Sequence, residues 1–160
     1  MKLPPLLVIA PNRVWRTYSG GATLDVINHE PQGADGHFPE DWLLSATRAV
    51  NAGRETVVEG VSKVIFNGET VLFTDLLAQF PAELLGETHL AKYGHDPKFL
   101  LKFLDAAIRL HLQCHPTREF ARRFLNADAG KTEGNVILGS RTPDPYVYLG
   151  FSQSVEPAYF

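Results

Sequence analysis

His111, Gln113 and His115 stand two apart along the chain, and Lys131 and Glu133 repeat that spacing sixteen and eighteen positions beyond His115. Alternate residues of an extended strand share one face. On a strand, the first three side chains therefore point one way, with Leu112 and Cys114 pointing the other. A row of polar groups turned into an apolar interior is costly unless something satisfies it. A cation satisfies it. Glu133, arriving from a neighbouring strand, supplies an anionic ligand, with Lys131 beside it on the same face. Zinc accepts imidazole nitrogen and carboxylate oxygen, and a catalytic site leaves one position open for substrate. A glutamine oxygen is a less usual donor. Taken alone, each half admits a plainer reading: His-x-Gln-x-His as an exposed polar strand face, Lys-x-Glu as a solvated surface pair.

The surrounding sequence must position these groups. Thirteen glycines and eleven prolines divide 160 residues into short pieces, which favours strands and turns over long helices. Residues 6–10 read as a strand, 14–18 as a second extended piece stopped by Gly20-Gly21, and 23–27 as a third. The polar, Gly/Pro-rich stretch 29–36 reads as a loop. Residues 42–46 and 55–59 look extended. Residues 64–66 and 71–73 resemble a hairpin around Asn67-Gly68, with Glu69 and Thr70 lengthening its connection. Residues 74–85 carry leucines and Phe80 at helical spacing, interrupted by Pro81, and predict two short helices. Residues 98–107 fit either a helix after Asp96-Pro97 or a buried strand carrying one lysine. Residues 110–114 read as a strand ended by His115-Pro116, and 117–126 as an amphipathic helix. Residues 135–138 and 146–151 read as further strands. Many short strands with few helices predict one mainly β domain over 1–160, a cupin-type jelly-roll barrel.

The combination is more specific than its parts. Leu112-Gln113-Cys114-His115-Pro116, followed by Gly130-Lys131-Thr132-Glu133, resembles the signature of type I mannose-6-phosphate isomerases, roughly L-S-I-Q-V-H-P and then G-K-x-E. Residues 15–21 resemble that family's opening aromatic and double-glycine motif, and residues 40–45 its E-x-W-x-x-S segment. Residues 99–106 resemble its F-L-x-K-x-L-D-A strand, which favours the strand reading there. Residues 146–151 resemble its Y-x-Y-L-G-F stretch.

The resemblance implies zinc ligands at Gln113, His115 and Glu133. It also implies substrate or phosphate contacts from Lys102 and Lys131, the latter as a candidate for proton transfer. The implied reaction interconverts mannose 6-phosphate and fructose 6-phosphate through an enediolate. Glu40 falls near the family's pocket, or else only braces Trp42 or a backbone amide. Two departures stand out. His111 replaces the family's usual serine, and it becomes a candidate substrate contact or further ligand. The family's fourth zinc ligand, a histidine on a later strand, has no matching position before Phe160. The expected barrel is therefore incomplete at its C-terminal end and resembles the first part of a longer isomerase. The rival expectation is a non-catalytic metal- or sugar-binding cupin module, and a third is another small metal-dependent cupin enzyme.

Bulk properties narrow the partners. Hydrophobic residues make up 44% and charged residues 21% of the chain, which argues against disorder. A formal net charge of −3 gives no electrostatic reason to expect nucleic acid or a membrane surface. No apolar run reaches the roughly 20 residues that span a bilayer, and Pro4-Pro5 breaks the apolar N-terminal stretch that a signal peptide needs. With Cys114 as its single cysteine the chain forms no internal disulfide, which suits a cytoplasmic protein. An incomplete barrel also predicts self-association through exposed strand edges.

Overall fold

The computed structural model describes residues 2–156, and the chain divides into two compact units, Met1–His111 and Leu112–Phe160. The first holds β1 (Val8–Ile9), β2 (Arg13–Val14), α1 (Ala22–Ile27), β3 (Glu40–Leu44), β4 (Lys63–Phe66) and β5 (Glu69–Leu72). It continues with α2 (Phe73–Gln79), α3 (Pro81–Leu85), α4 (Glu87–Tyr93) and β6 (Leu101–Leu104), while the second unit holds α5 (Arg118–Phe124). None of the helices is long and apolar enough to cross a membrane among the described residues.

Two separate antiparallel sheets organise the first unit, in the orders β1-β4-β5 and β2-β3-β6. The β4–β5 hairpin turns at Asn67 and Gly68, whose φ values of 52° and 84° are the paired positive angles of a type I′ turn. Phe66 pairs directly with Glu69, so Glu69 and Thr70 belong to the strand and the connection is only two residues long. The chain then enters α2 at once. Phe73, Leu76, Leu77 and Phe80 share one helical face and bury it with Val64 and Phe66 as the larger core. Pro81 lacks the N–H that would continue α2 and instead occupies the first turn of α3, where that donor is not needed.

The second sheet has a smaller core of Val14, Trp42 and Ala49, with Leu100 against it. Polar side chains bind the two sheets where β3 runs on toward β4. The hydroxyl of Ser62 accepts from the Ser45 amide at 2.9 Å and donates to the Trp42 carbonyl at 3.0 Å. The Asn12 amide donates to the carbonyls of Trp42 and Gly60 at 3.0 and 2.9 Å. Both side chains are buried, and these bonds meet the requirement that buried polar groups be paired.

The expected cupin jelly roll is not what the chain forms. Two three-stranded sheets, with no strand longer than five residues and no closed barrel, stand among the described residues beside five short helices. Residues 23–27, expected as a strand, lie in α1. The Asp105 carboxylate accepts from the amides of Gly21 and Thr23 at 3.2 and 2.8 Å, satisfying donors at the start of that helix. Such a distant cap is invisible to local pattern. Residues 55–59 form turns and irregular chain, and α4 arises where no element was expected. Residues 110–114, 135–138 and 146–151 pair with no strand among the described residues, and Val136, Val147 and Leu149 are exposed. Apolar, β-branched composition makes a segment fit for a sheet, but only a neighbouring strand makes it one.

Leu76 is 2% exposed, whereas Leu101 on the outer strand β6 is 54% exposed. Leu76→Ala is therefore expected to lower stability by about 2–5 kcal/mol and Leu101→Ala by under about 1 kcal/mol. Urea denaturation of both variants checks this; equal losses would contradict the core assignment.

Candidate functional site

Each unit contains a carboxylate that two basic side chains approach. In the first unit it is Glu40, on β3, only 3% exposed. Glu40 and Trp42 share a strand face, and the indole N–H donates to the carboxylate at 2.6 Å. The Tyr18 hydroxyl donates to it at 2.5 Å. Arg16 and Lys102 complete the shell at 3.0 and 3.5 Å, and the Arg16 guanidinium also lies over the Trp42 ring, 5.0 Å from its centroid. Burial pushes the Glu40 carboxyl up. The hydrogen bonds from Arg16, Tyr18 and Trp42 and the charge on Lys102 outweigh it, leaving the group below the usual glutamate range.

Lys102 thus comes to this site rather than standing alone on a strand. Arg16 and Tyr18 are the partners that sequence reasoning missed. Their signal was their two-residue spacing, matched by that of Glu40 and Trp42. His111 is exposed, its Nε2 3.1 Å from the Thr17 hydroxyl.

The second unit brings together His115, Lys131 and Glu133. Gly130 makes this possible. A Cβ at that position would overlap the Pro116 carbonyl oxygen and stand 2.9 Å from the Arg118 amide, so only glycine lets the chain pass so close. The Lys131 amide then donates to the Pro116 carbonyl at 3.1 Å, which sets residues 131–133 beside His115. Thr117 follows as the N-cap of α5, its hydroxyl accepting from the Phe120 amide at 3.2 Å, and fixes where the chain turns away. One oxygen of Glu133, Oε2, lies 3.4 Å from His115 Nε2 and 3.3 Å from Lys131 Nζ.

The first of these distances bears on a metal. At 3.4 Å the contact is too long for a good hydrogen bond. The Lys131 ammonium, which ligates no metal, stands equally close to the same oxygen. His115 and Glu133 are also fewer than the three or four protein ligands that a zinc site takes. Gln113, the third expected ligand, is exposed, as is Cys114. No group of three or more histidine, cysteine, aspartate or glutamate side chains suited to a metal gathers among the described residues. No protein-family model matches the chain, and no curated protein or solved structure does. The isomerase resemblance accordingly rests on the quoted motifs themselves.

Glu40→Gln is expected to cost about 2–4 kcal/mol at neutral pH, because it strips the negative charge from a buried, fully donated-to site. The folded carboxyl titrates below its unfolded value, so its contribution is complete above about pH 4.3 and fades as the pH falls. Wild-type protein should therefore lose stability more steeply than the variant on going below that pH, as read by denaturation at several pH values. Parallel acid limbs would contradict the charge assignment.

Proposed function

We propose that this chain is a zinc-dependent aldose–ketose isomerase of the mannose-6-phosphate isomerase type, interconverting mannose 6-phosphate and fructose 6-phosphate. One observation carries the reading: His115, Lys131 and Glu133, three of the residues that the resemblance names, stand together, with the imidazole 3.4 Å and the ammonium 3.3 Å from one carboxylate oxygen. His115 and Glu133 would hold the ion, and Gln113 is the further donor that the resemblance implies. A zinc ion held by these residues would supply Lewis-acid polarisation of the sugar's oxygens and offset developing negative charge.

The remaining work falls to the chain's own groups. Isomerisation moves a proton between C1 and C2 through an enediolate. Glu133, engaged as a ligand, is not free to serve as the base. Lys131 has 53% of its side chain exposed, so its ammonium is within reach of a dissolved anion and is suited to a substrate phosphate or to assisting proton transfer. Lys102 is a second ammonium that the resemblance links to substrate. Its bond to Glu40 orients it, and with Arg16 on the same carboxylate that buried site keeps a net positive charge. His111, exposed beside Thr17, is a candidate substrate contact. A cytoplasmic location agrees with the single cysteine.

A second reading is favoured by a specific observation. The described residues gather fewer metal donors than a catalytic centre takes, which suits a non-catalytic module. A coupled assay for fructose 6-phosphate formation, run beside metal analysis, separates the two. Turnover with bound zinc supports the isomerase, whereas stoichiometric zinc without turnover supports the module. His115→Ala is expected to lower zinc occupancy at least about tenfold, since it removes a direct ligand. Unchanged occupancy in that variant would remove the metal assignment.

A further inference from the structure

Residues 136–138 and 146–149 of the second unit are all aliphatic or aromatic, and each is between 69% and 97% exposed. Together they present on the order of 1,000 Å² of accessible surface. One partner of a stable complex buries about 800 Å², so this surface is large enough to hold two molecules together. Their backbone is open as well. Neither segment joins a strand or makes a backbone-to-backbone hydrogen bond among the described residues.

The chemistry of the surface narrows what covers it. Residues 135–138 and 146–151 carry no charge, so neither an acidic nor a basic partner finds anything there to pair with. Lipid would take the side chains and leave the backbone groups unmet. A strand meets both, and these segments have a strand's composition. Residues 146–149 are also self-complementary. Tyr146 and Tyr148 stand with ring centroids 5.2 Å apart, on one side of the chain, and alternation gives the other side to Val147 and Leu149. Two copies laid antiparallel across a two-fold axis keep each face on its own side. Tyrosines then meet tyrosines and aliphatic side chains meet aliphatic ones, and such cross-strand pairs stabilise a sheet.

We infer that residues 136–138 and 146–149 are the contact through which this chain forms a homodimer, the two 146–149 segments pairing as antiparallel strands about Val147. This stands apart from the isomerase reading, since none of the candidate site residues lies in either segment. The test is sedimentation velocity of the full chain over a concentration series, with circular dichroism recording strand content. Wild type is expected to pass from 17.7 kDa to twice that mass, gaining strand signal as it does. Val147→Lys sets two ammonium groups against each other on the axis and should weaken dimerisation at least about tenfold. Val147→Glu should do the same with two carboxylates. Mixed together, these variants face each other with opposite charges, and they should associate at least about tenfold more tightly than either does alone. Val50→Lys alters a residue just as exposed, at 79%, in the first unit, and should dimerise as wild type does.

A single 17.7 kDa species at every concentration, as when the segments fold back on their own chain, would overturn the inference. So would self-association that Val147→Lys leaves intact, that Val50→Lys abolishes equally, or that mixing the two charged variants fails to restore.

Discussion

A carboxylate withdrawn from water must be met by donors, and how completely it is met decides what it can do. Glu40 and Glu133 mark the two ends of that range. Glu40 lies almost wholly inside its unit and is met by a phenol, an indole, a guanidinium and an ammonium. Little capacity remains on it. It joins the chain just after β2 to β3 and β6 around a common charge, and those partners hold its carboxyl below the usual glutamate range. Glu133 is less buried and is met by two groups at longer range.

The same contrast explains how the backbone is arranged around each group. Around Glu40 the alternation of side chains does the work, with Arg16 and Tyr18 two apart on the incoming chain and Glu40 and Trp42 two apart on β3. Around Glu133 regular structure does little. The site is made by Gly130 passing close to Pro116 and by Thr117 starting α5. One unit positions its chemistry on a sheet face, the other on a glycine crossing.

Local structure was legible where its cause was local. Asn67-Gly68 carries its own turn geometry, Pro81 divides its own helices, and Thr117 caps the helix beside it. The barrel was not legible, because a strand exists only through its neighbour. Residues 135–138 and 146–151 have the composition of strands without a ladder to join. Residues 23–27, rich in β-branched side chains, lie in a helix at whose start the distant Asp105 carboxylate accepts from the Thr23 amide. The candidate site divides along the same line. Lys131 and Glu133, expected to share a strand face, stand together on irregular chain beside His115 instead. The Gln113 alternation needed a strand that did not form. The hub around Glu40 needed the sheet's register, which no single segment contains.

The account turns on a cation shared by His115 and Glu133. X-ray absorption at the zinc edge of the loaded full chain tests it most directly. The account predicts a low-coordinate shell of nitrogen and oxygen at about 2.0–2.1 Å, bearing imidazole scattering that vanishes when residue 115 lacks its ring. A spectrum of hydrated zinc without imidazole, or one indifferent to residue 115, would contradict it.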